Sequence, residues 1–369
     1  MSGKKPKVAI VQDWLVVGGA ERVVQELHRM FPDAPIYTSY CTDEWRKRLD
    51  NKVVTGFLQR WPFSKLRKFL PVLRIWWFSR LDLSQYDIVI SSSGNGEALG
   101  VRTPSSTLHI NYCHAPTHYY WGLYDQYLRR PGFGVFDPLA RIGLRLLVGP
   151  LRAWDYRAAQ RADVVLANST HTQEDIRRYY QRESTVVFPP VDVERFNVPA
   201  RQRHGFVIAG RQTPYKRFDL AVQACTQANL PLRVIGRGPE HDRLVAMAGP
   251  TVEFPANVTD EQMAEHFASA EAFLFPQLED FGVTPAEALA AGTPLIAYHK
   301  GGALDMVDPG KTGIFFDEQT VSSLAHALQT FPTHRFNHAH IRAYAQRFSP
   351  ASFRAQVQAC IAAHYKEKP

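Results

Sequence analysis

A loop in the second half of the chain carries cations in positions suited to binding a phosphorylated ligand. It follows a short apolar run, precedes a segment with helical spacing, and contains Gly210, Arg211 and Lys216. Arginine forks and lysine ammonium groups stabilise phosphate oxygens, so this loop could hold a diphosphate. Taken alone, the segment fits a solvated basic loop equally well, since most Lys and Arg side chains are exposed.

A second loop, residues 275–287, combines a tight turn with the start of a helix. The turn contains Gly282, and we expect Pro285 to open the helix. Backbone N–H groups near Val283 and Thr284 would then point out of the helix end, which favours binding of an anion.

Two glutamates stand eight positions apart around that turn. Glu279 could reach a sugar hydroxyl, and Glu287 could reach a ribose hydroxyl. A lone glutamate on a helix more commonly caps it or pairs with a neighbour. The combination with Gly282 and Pro285 favours a ligand-binding role.

The elements that must position these loops are short strands alternating with helices. Segments with helical spacing, among them 20–31, 218–229 and 260–269, lie between short apolar runs. This alternation predicts an α/β protein with parallel sheets and crossover helices. The runs predicted as strands are 8–11, 87–91, 108–113, 163–167, 185–188, 205–209, 232–235, 252–254, 272–275, 294–298 and 313–316.

The chain is expected to have three parts. A Pro-rich, weakly periodic segment near residue 190 divides an N-terminal domain, 1–190, from a second domain, 191–348, and each half starts afresh as a Rossmann-like unit. A last helix over 349–369 carries an apolar stripe that includes Phe353 and Val357. We expect this helix to pack back onto the N-terminal domain, because the stripe needs a surface to cover it.

Composition indicates a folded protein of a reducing compartment. The chain has 369 residues, 45% of them hydrophobic, and four widely separated cysteines without a Cys-x-x-Cys pair. The first apolar run, 8–11, ends at polar residues, so it is predicted as a strand and not as a signal peptide. No apolar run approaches the ~20 residues needed to span a bilayer. We therefore expect a cytoplasmic protein.

Positive charge is concentrated in the first half of the chain. Residues 1–190 hold 26 Lys and Arg against 17 Asp and Glu, a net charge of +9, whereas residues 191–369 hold 17 against 18, a net charge of −1. A basic half could face nucleic acid, an anionic lipid surface or a phosphorylated substrate.

Residues 60–80 suggest which of these applies, because cations alternate there with aromatic side chains. This pattern suits attachment to an anionic membrane interface, on the inner face of the cytoplasmic membrane. A second stretch, 139–148, supports it, although an ordinary helix pair covering the sheet is the alternative. The cations are Lys65, Arg67, Lys68, Arg74 and Arg80, and the rings include Trp61, Phe63, Phe69, Trp76, Trp77 and Phe78.

Several motifs, spread over about residues 8–316, together resemble those of the family 4 retaining glycosyltransferases. They stand in the order and approximate spacing of that family. They are Gly18-Gly-Ala-Glu21, Cys113-His-Ala-Pro116, Gly210-Arg211 with Lys216, Ile235-Gly-Arg-Gly-Pro239, Glu279-x7-Glu287 around Phe281-Gly282, and Gly301-Gly-Ala-Leu-Asp305. Asp305 departs from the glutamate usual in the family, which shortens its reach.

The resemblance implies a GT-B fold, in which two Rossmann-like domains face across a cleft and a C-terminal helix crosses back to the N-terminal domain. It implies that the nucleotide-sugar donor binds mainly in the second domain. The donor residues it implies are Gly18, Gly19, Gly210, Arg211, Lys216, Gly238, Phe281, Gly282, Val283, Thr284 and Glu287. The residues it places at the chemistry are His114, Arg211, Lys216 and Glu279.

A closer resemblance is to the WbaZ-type mannosyltransferases of O-antigen and exopolysaccharide assembly. It implies GDP-mannose as donor and a lipid-linked saccharide or glycan as acceptor. The chain lacks the Asp-x-Asp pair that holds Mg²⁺ in the other glycosyltransferase fold. We therefore expect no metal or other cofactor, with the cations replacing the metal on the diphosphate.

Three other functions fit parts of the sequence. The same fold could use a UDP-sugar donor or act as a sugar epimerase, or the chain could be a non-catalytic, membrane-associated scaffold. The presence of Arg211, Lys216, Glu279 and Glu287 argues against a scaffold. Nucleic acid is not expected as a partner, because no recognisable nucleic-acid module accompanies the positive charge.

Overall fold

The chain forms two compact units in a computed structural model. The first comprises Met1–Pro189 together with Arg354–Pro369, and the second is Pro190–Phe353. The structure describes residues 5–16, 18–67, 70–94, 97–129, 134–199, 202–332 and 335–365.

The first unit is built on a seven-stranded parallel sheet of order β3-β2-β1-β4-β5-β6-β7. The central strands are buried along their whole length, as expected for a parallel sheet covered by helices on both faces. The chain order reverses between β1 and β4, and in such sheets ligands bind at this switch point. The strands are β1 (Val8–Gln12), β2 (Ile36–Thr38), β3 (Val53–Thr55), β4 (Ile88–Ser93), β5 (Leu108–Cys113), β6 (Val164–Ala167) and β7 (Thr185–Val186).

In the described part of the first unit, seven α-helices lie between these strands. The first of them buries one face, with Val23, Val24 and Leu27 fully covered, as its 3.6-residue periodicity requires. The helices are α1 (Ala20–Met30), α2 (Asp43–Arg48), α3 (Phe63–Leu66), α4 (Pro71–Ser79), α5 (Tyr124–Arg129), α6 (Asp137–Ala159) and α7 (Thr170–Asp175).

The second unit is built on a six-stranded parallel sheet of order β10-β9-β8-β11-β12-β13. Its switch point lies between β8 and β11, which are neighbours in the sheet. The strands are β8 (Phe206–Ala209), β9 (Leu232–Ile235), β10 (Val252–Glu253), β11 (Ala272–Phe275), β12 (Leu295–Tyr298) and β13 (Gly313–Phe316). The predicted architecture of two Rossmann-like parallel-sheet units is confirmed.

The helices of the second unit begin at clear sequence signals. At the start of α10, Thr259 and Gln262 form a capping box. Helix α11 begins at Val283, two residues before the predicted Pro285, because Gly282 already turns the chain into the helix. The helices are α8 (Phe218–Gln227), α9 (His241–Met247), α10 (Asp260–Ala268), α11 (Val283–Ala290), α12 (Ala303–Met306), α13 (Val321–Gln329) and α14 (His338–Ala345).

The last helix, α15 (Pro350–Tyr365), starts in the second unit and ends in the first. Ser349 Oγ accepts a hydrogen bond from the Ser352 N–H at 3.2 Å and so caps it. Val357 is buried, and Arg354 forms an ion pair with the buried Glu26 of α1. The predicted crossing of this helix back to the N-terminal domain is confirmed.

Residues 60–80 only partly form the surface that the sequence suggested. Trp77 and Phe78 are buried in a hydrophobic cluster against β1 and β4. Arg74 is also buried, and its Nη2 lies 2.7 Å from Glu97 Oε1. These three side chains are therefore not available to a membrane, and including Arg74, Trp77 and Phe78 in that surface was wrong. Lys68 and Phe69 lie outside the described residues.

Within the described ranges, no helix is both long enough and apolar enough to cross a bilayer.

Candidate functional site

The switch point of the second sheet brings together two side chains predicted at the site. Lys216 lies in the loop after β8, Glu279 lies in the loop after β11, and their Nζ and Oε1 atoms are 2.8 Å apart. Both side chains are mostly covered, with 16% and 19% of their surfaces exposed. Burial by itself lowers the pKa of Lys216, but the charge of Glu279 and the hydrogen bond to it raise the pKa above its ordinary value. Lys216 is therefore a permanent cation at the switch point.

Arg211 lies in the same loop as Lys216, five residues earlier. Its side chain is exposed, and the described part of the chain provides no carboxylate that pairs with it. A positive charge that is neither buried nor paired remains available to an anionic ligand.

The loops after β8 and β9 are in direct backbone contact, which only glycine permits. Gly210 and Gly236 have φ values of +141° and +108°. A Cβ atom on Gly236 would lie 2.2 Å from the Gly210 carbonyl oxygen, and one on Gly238 would lie 2.3 Å from that of Gln212. Side chains at Gly236 and Gly238 would therefore push the Arg211–Lys216 loop out of place.

Gln212, which the sequence did not single out, secures this contact from the inside. Its side chain is fully buried, and its Nε2 donates to the Gly236 carbonyl at 2.8 Å. Its Oε1 lies 2.8 Å from His241 Nδ1. Gln212 lies between Arg211 and Lys216 in the sequence, and this position could have drawn attention to it. Glutamine is usually exposed, however, so the sequence did not predict that this side chain is buried.

A second glycine pair supports the loop that carries Glu279. The Gly302 N–H donates to the Glu279 carbonyl at 2.8 Å. Cβ atoms on Gly301 and Gly302 would lie 2.5 Å from the Glu279 carbonyl oxygen and 2.2 Å from that of Phe281. Phe281 itself is buried, edge-on to Phe348. The loop that carries Glu279 is therefore held by the backbone contacts of Gly301 and Gly302 and by the packing of the Phe281 ring against Phe348.

The start of α11 offers backbone donors at the end of this loop. Gly282 is its N-cap, with φ +101°, and no side chain caps the helix. The N–H groups of Val283 and Thr284 belong to the first turn of the helix and have no partner within it. Together with the helix dipole, they favour an anion at this position.

Glu287 lies one turn further along α11 and is nearly buried. Its Oε1 is 3.3 Å from Nη2 of Arg195, which also pairs with Asp260 at 2.7 Å. Arg195 was not predicted as a site residue, because it falls in the segment that the sequence marked only as a domain boundary.

The remaining predicted residues, Gly18, Gly19 and His114, belong to the first unit. His114 follows β5, and its Nε2 lies 2.8 Å from Ser92 Oγ on β4. Gly18 and Gly19 are exposed at the start of α1, where no side chain caps the helix.

Asp13 secures the switch point of this first sheet. Its two carboxylate oxygens accept hydrogen bonds from the N–H groups of Gly94 and Ala98, each at 2.8 Å. It comes directly after β1, while Gly94 and Ala98 follow β4, so it joins the two loops on either side of the reversal. Nothing in the sequence distinguished Asp13 from the other aspartates.

The segment after His114 is tied to helix α6 by one buried carboxylate. Asp155 accepts hydrogen bonds from Thr117 Oγ1 at 3.2 Å, Trp121 Nε1 at 2.7 Å and the Tyr180 hydroxyl at 2.8 Å. Burial raises the pKa of Asp155 to about 7, although the three hydrogen bonds act in the opposite direction.

Within the described residues, no three or more His, Cys, Asp or Glu side chains are arranged to hold a metal ion.

Two family models match the chain in succession. The model described as Glycosyltransferase Family 4 matches residues 17–195, and the model described as Glycosyl transferases group 1 matches residues 194–348. The chain belongs to the family 4 glycosyltransferases. The GT-B fold expected of this family is supported by a solved structure, HepE from Anabaena in complex with UDP, with a TM-score of 0.70 and 15% identity over 97% of this chain and 100% of that chain.

Curated relatives of this family 4 glycosyltransferase differ in the substrates that their names give. A D-inositol 3-phosphate glycosyltransferase from Streptomyces avermitilis is 30% identical over 206 residues, 46% of this chain and 44% of the relative. A GDP-mannose-dependent alpha-mannosyltransferase from Mycolicibacterium smegmatis is 30% identical over 196 residues, 49% and 51% of the two chains. The chain thus spans about half the length of the curated relatives that it matches.

Proposed function

We propose that this family 4 glycosyltransferase transfers a sugar from a nucleotide-sugar donor to a hydroxyl group of an acceptor. The observation that carries the proposal is the Lys216–Glu279 pair, 2.8 Å apart at the switch point of the second sheet. A cation there can contact the donor diphosphate, and a carboxylate beside it can accept hydrogen bonds from the transferred sugar. A non-catalytic scaffold has no need of a mostly covered, ion-paired cation in this position.

In the proposed reaction, the bond between the sugar C1 and the diphosphate oxygen breaks, and the nucleoside diphosphate leaves with the electron pair. A new bond forms between C1 and the acceptor oxygen, whose proton passes to the leaving diphosphate. Negative charge therefore grows on the leaving diphosphate, and Lys216, Arg211 and the N–H groups of Val283 and Thr284 would stabilise it. We assign the ribose hydroxyls to Glu287. By the family resemblance, His114 and Gly19 act from the first unit, and the transfer retains the configuration at C1.

We propose GDP-mannose as the donor. This is supported by the closer resemblance of the motifs to mannosyltransferases and by the name of the M. smegmatis relative. A UDP-sugar is the alternative, since the name of the S. avermitilis relative specifies no donor.

A thermal-shift screen of GDP-mannose, UDP-glucose and UDP-N-acetylglucosamine tests this proposal. A donor present at 100 times its Kd should stabilise the protein by ~2.7 kcal/mol. We expect GDP-mannose to raise the Tm and the UDP-sugars to leave it unchanged. Stabilisation by a UDP-sugar alone would contradict the assignment of the donor, and no shift with any of the three would contradict the function.

We further propose that the first unit docks on the anionic inner leaflet of the cytoplasmic membrane to reach a lipid-linked saccharide. Within 60–80, the side chains of Trp61, Lys65, Trp76 and Arg80 are exposed, with Trp61 80% accessible. Indole rings beside cations suit the interface of an anionic bilayer.

A more continuous apolar surface lies on the first half of α6 and the turn before it. Val135, Leu139, Ile142 and Leu146 recur at intervals of four, three and four residues and so form one stripe, called here the α6 stripe. Leu139 and Leu146 are 69% and 73% exposed. The net charge of +9 on residues 1–190 favours an anionic bilayer over a second copy of the same basic unit.

Vesicle sedimentation tests the docking proposal. The protein is expected to bind vesicles that contain phosphatidylglycerol, but not vesicles of phosphatidylcholine alone, and binding should fall at high salt because each cation contributes ~1 kcal/mol. Replacing Leu139, Ile142 and Leu146 with Ser should weaken binding by about tenfold or more, since their apolar burial is lost.

Val245→Ser is the matched control, because it removes an exposed apolar side chain from α9 of the other unit. Equal binding to both kinds of vesicle would contradict the electrostatic part of the proposal. No binding to either kind would contradict docking altogether.

A further inference from the structure

The guanidinium group of Arg195 lies between two carboxylates of the second unit. Its Nη2 is 3.3 Å from Glu287 Oε1, and its Nη1 is 2.7 Å from Asp260 Oδ2. Arg195 belongs to a single turn of 3-10 helix, Glu194–Phe196, that precedes β8. It therefore reaches the α11 carboxylate from outside the loops that the family motifs describe.

The Arg195 side chain is itself held by contacts with Phe196 and Asp260, in addition to Glu287. Its guanidinium carbon lies 4.6 Å from the centroid of the Phe196 ring, which is fully buried and stacks on Phe267. Asp260, on the far side, is the first residue of α10, whose start is fixed by a capping box. A planar cation confined in this way can fix the orientation of the carboxylate that it contacts.

We infer that Arg195 is a positioning residue that orients Glu287 for recognition of the donor ribose. The inference rests on the proposed function, because it takes Glu287 as the acceptor of hydrogen bonds from the ribose hydroxyls. Two neighbouring hydroxyls can both be bound only by a carboxylate of fixed orientation. Arg195 contacts one carboxylate oxygen from the protein side and so limits rotation of the group.

The affinity ratio between ribose and 2′-deoxyribose nucleotides separates this role from a merely structural one. A hydrogen bond to a charged group contributes enough that loss of the 2′-hydroxyl should weaken wild-type binding by about tenfold or more. A variant that only loosens the fold would bind both nucleotides less tightly and leave their ratio unchanged. A variant that lets the Glu287 carboxylate rotate more easily would lower the ratio.

The experiment measures the Kd of GDP and 2′-deoxy-GDP by calorimetry, and of UDP and 2′-deoxy-UDP in parallel, for the wild type, Arg195→Met and Arg195→Lys. The ratio is expected to fall from about tenfold or more in the wild type to within about threefold in Arg195→Met. Arg195→Lys keeps the charge but lacks the planar guanidinium fork that contacts both Asp260 and Glu287. Its affinity ratio should therefore lie between that of the wild type and that of Arg195→Met. Arg243→Met is the control. Arg243 lies on α9, pairs with Glu240 and does not contact Glu287.

The outcomes distinguish this inference from the proposed function. If the wild type binds neither diphosphate, the proposed function fails. If it binds one of them but the ratio in Arg195→Met stays at or above the wild-type value, the function stands and the positioning role is overturned. If Arg195→Met does not fold, an unchanged ratio in Arg195→Lys overturns the inference in the same way.

Discussion

Replacing Lys216 with Ala is expected to lower kcat/KM for sugar transfer by about two orders of magnitude or more. Loss of one preorganised donor to a developing negative charge costs on the order of 3–4 kcal/mol. Lys216 is mostly buried and paired with Glu279, so its removal also leaves that carboxylate without its cation. Arg211→Ala should show a loss of similar size, because its exposed guanidinium is assigned to the same diphosphate. Initial rates with the donor selected by the screen measure both effects.

Lys311→Ala provides the matched control for these variants. Lys311 pairs with Asp308 at 3.0 Å on the surface of the same unit, so its removal should leave the rate unchanged. EDTA should also leave the wild-type rate unchanged, since in this proposal cations and backbone N–H groups carry the charge. Wild-type rates in both the Lys216 and Arg211 variants would show that the diphosphate binds elsewhere.

Gly236→Ala is expected to destabilise the second unit by about 3 kcal/mol or more and to weaken nucleotide binding. A Cβ atom there would lie 2.2 Å from the Gly210 carbonyl oxygen, and the backbone has a φ of +108°, which L-residues rarely adopt. Overpacking and backbone strain each contribute roughly 1–3 kcal/mol. Relief of the clash must move the loop that carries Arg211 and Lys216. Urea unfolding and the Kd of the nucleotide measure the two effects.

Gly310→Ala separates the clash from the strain. Gly310 has a φ of +77°, but a Cβ atom on it would meet nothing within 4 Å. It should therefore show only the strain cost of roughly 1–2 kcal/mol and normal nucleotide binding. Equal effects of the two substitutions would mean that contact between the two glycine loops is not what positions the site.

The sequence predicted most strands of both sheets because parallel strands are continuous apolar runs. All eleven predicted runs are strands, with ends within two residues of those observed. Strands β2 and β3, of three residues each, were missed, although the two-residue strands β7 and β10 were predicted, so length alone does not explain the difference. The sequence also could not show which aromatic rings of α4 are buried. That helix is apolar on nearly every side, and only the packing shows that Trp77 faces the core while Trp76 faces solvent.

The predicted site residues could be selected because cations, glutamates and glycines recur in motifs near one another in sequence. Their supports were not predictable in the same way. Arg195 lies 92 residues before Glu287 and Asp13 lies 81 residues before Gly94, so each contact exists only once the sheet has formed. A residue that acts through a distant partner has no local pattern by which to recognise it.

The proline within α6 removes one hydrogen bond from the middle of that helix. Pro150 has no N–H to donate to the Leu146 carbonyl, so the helical ladder is interrupted between the α6 stripe and Asp155. We therefore expect α6 to bend more easily at this point than elsewhere along its length. Bending there would move the α6 stripe while leaving in place the three hydrogen bonds of Asp155, which lies beyond Pro150.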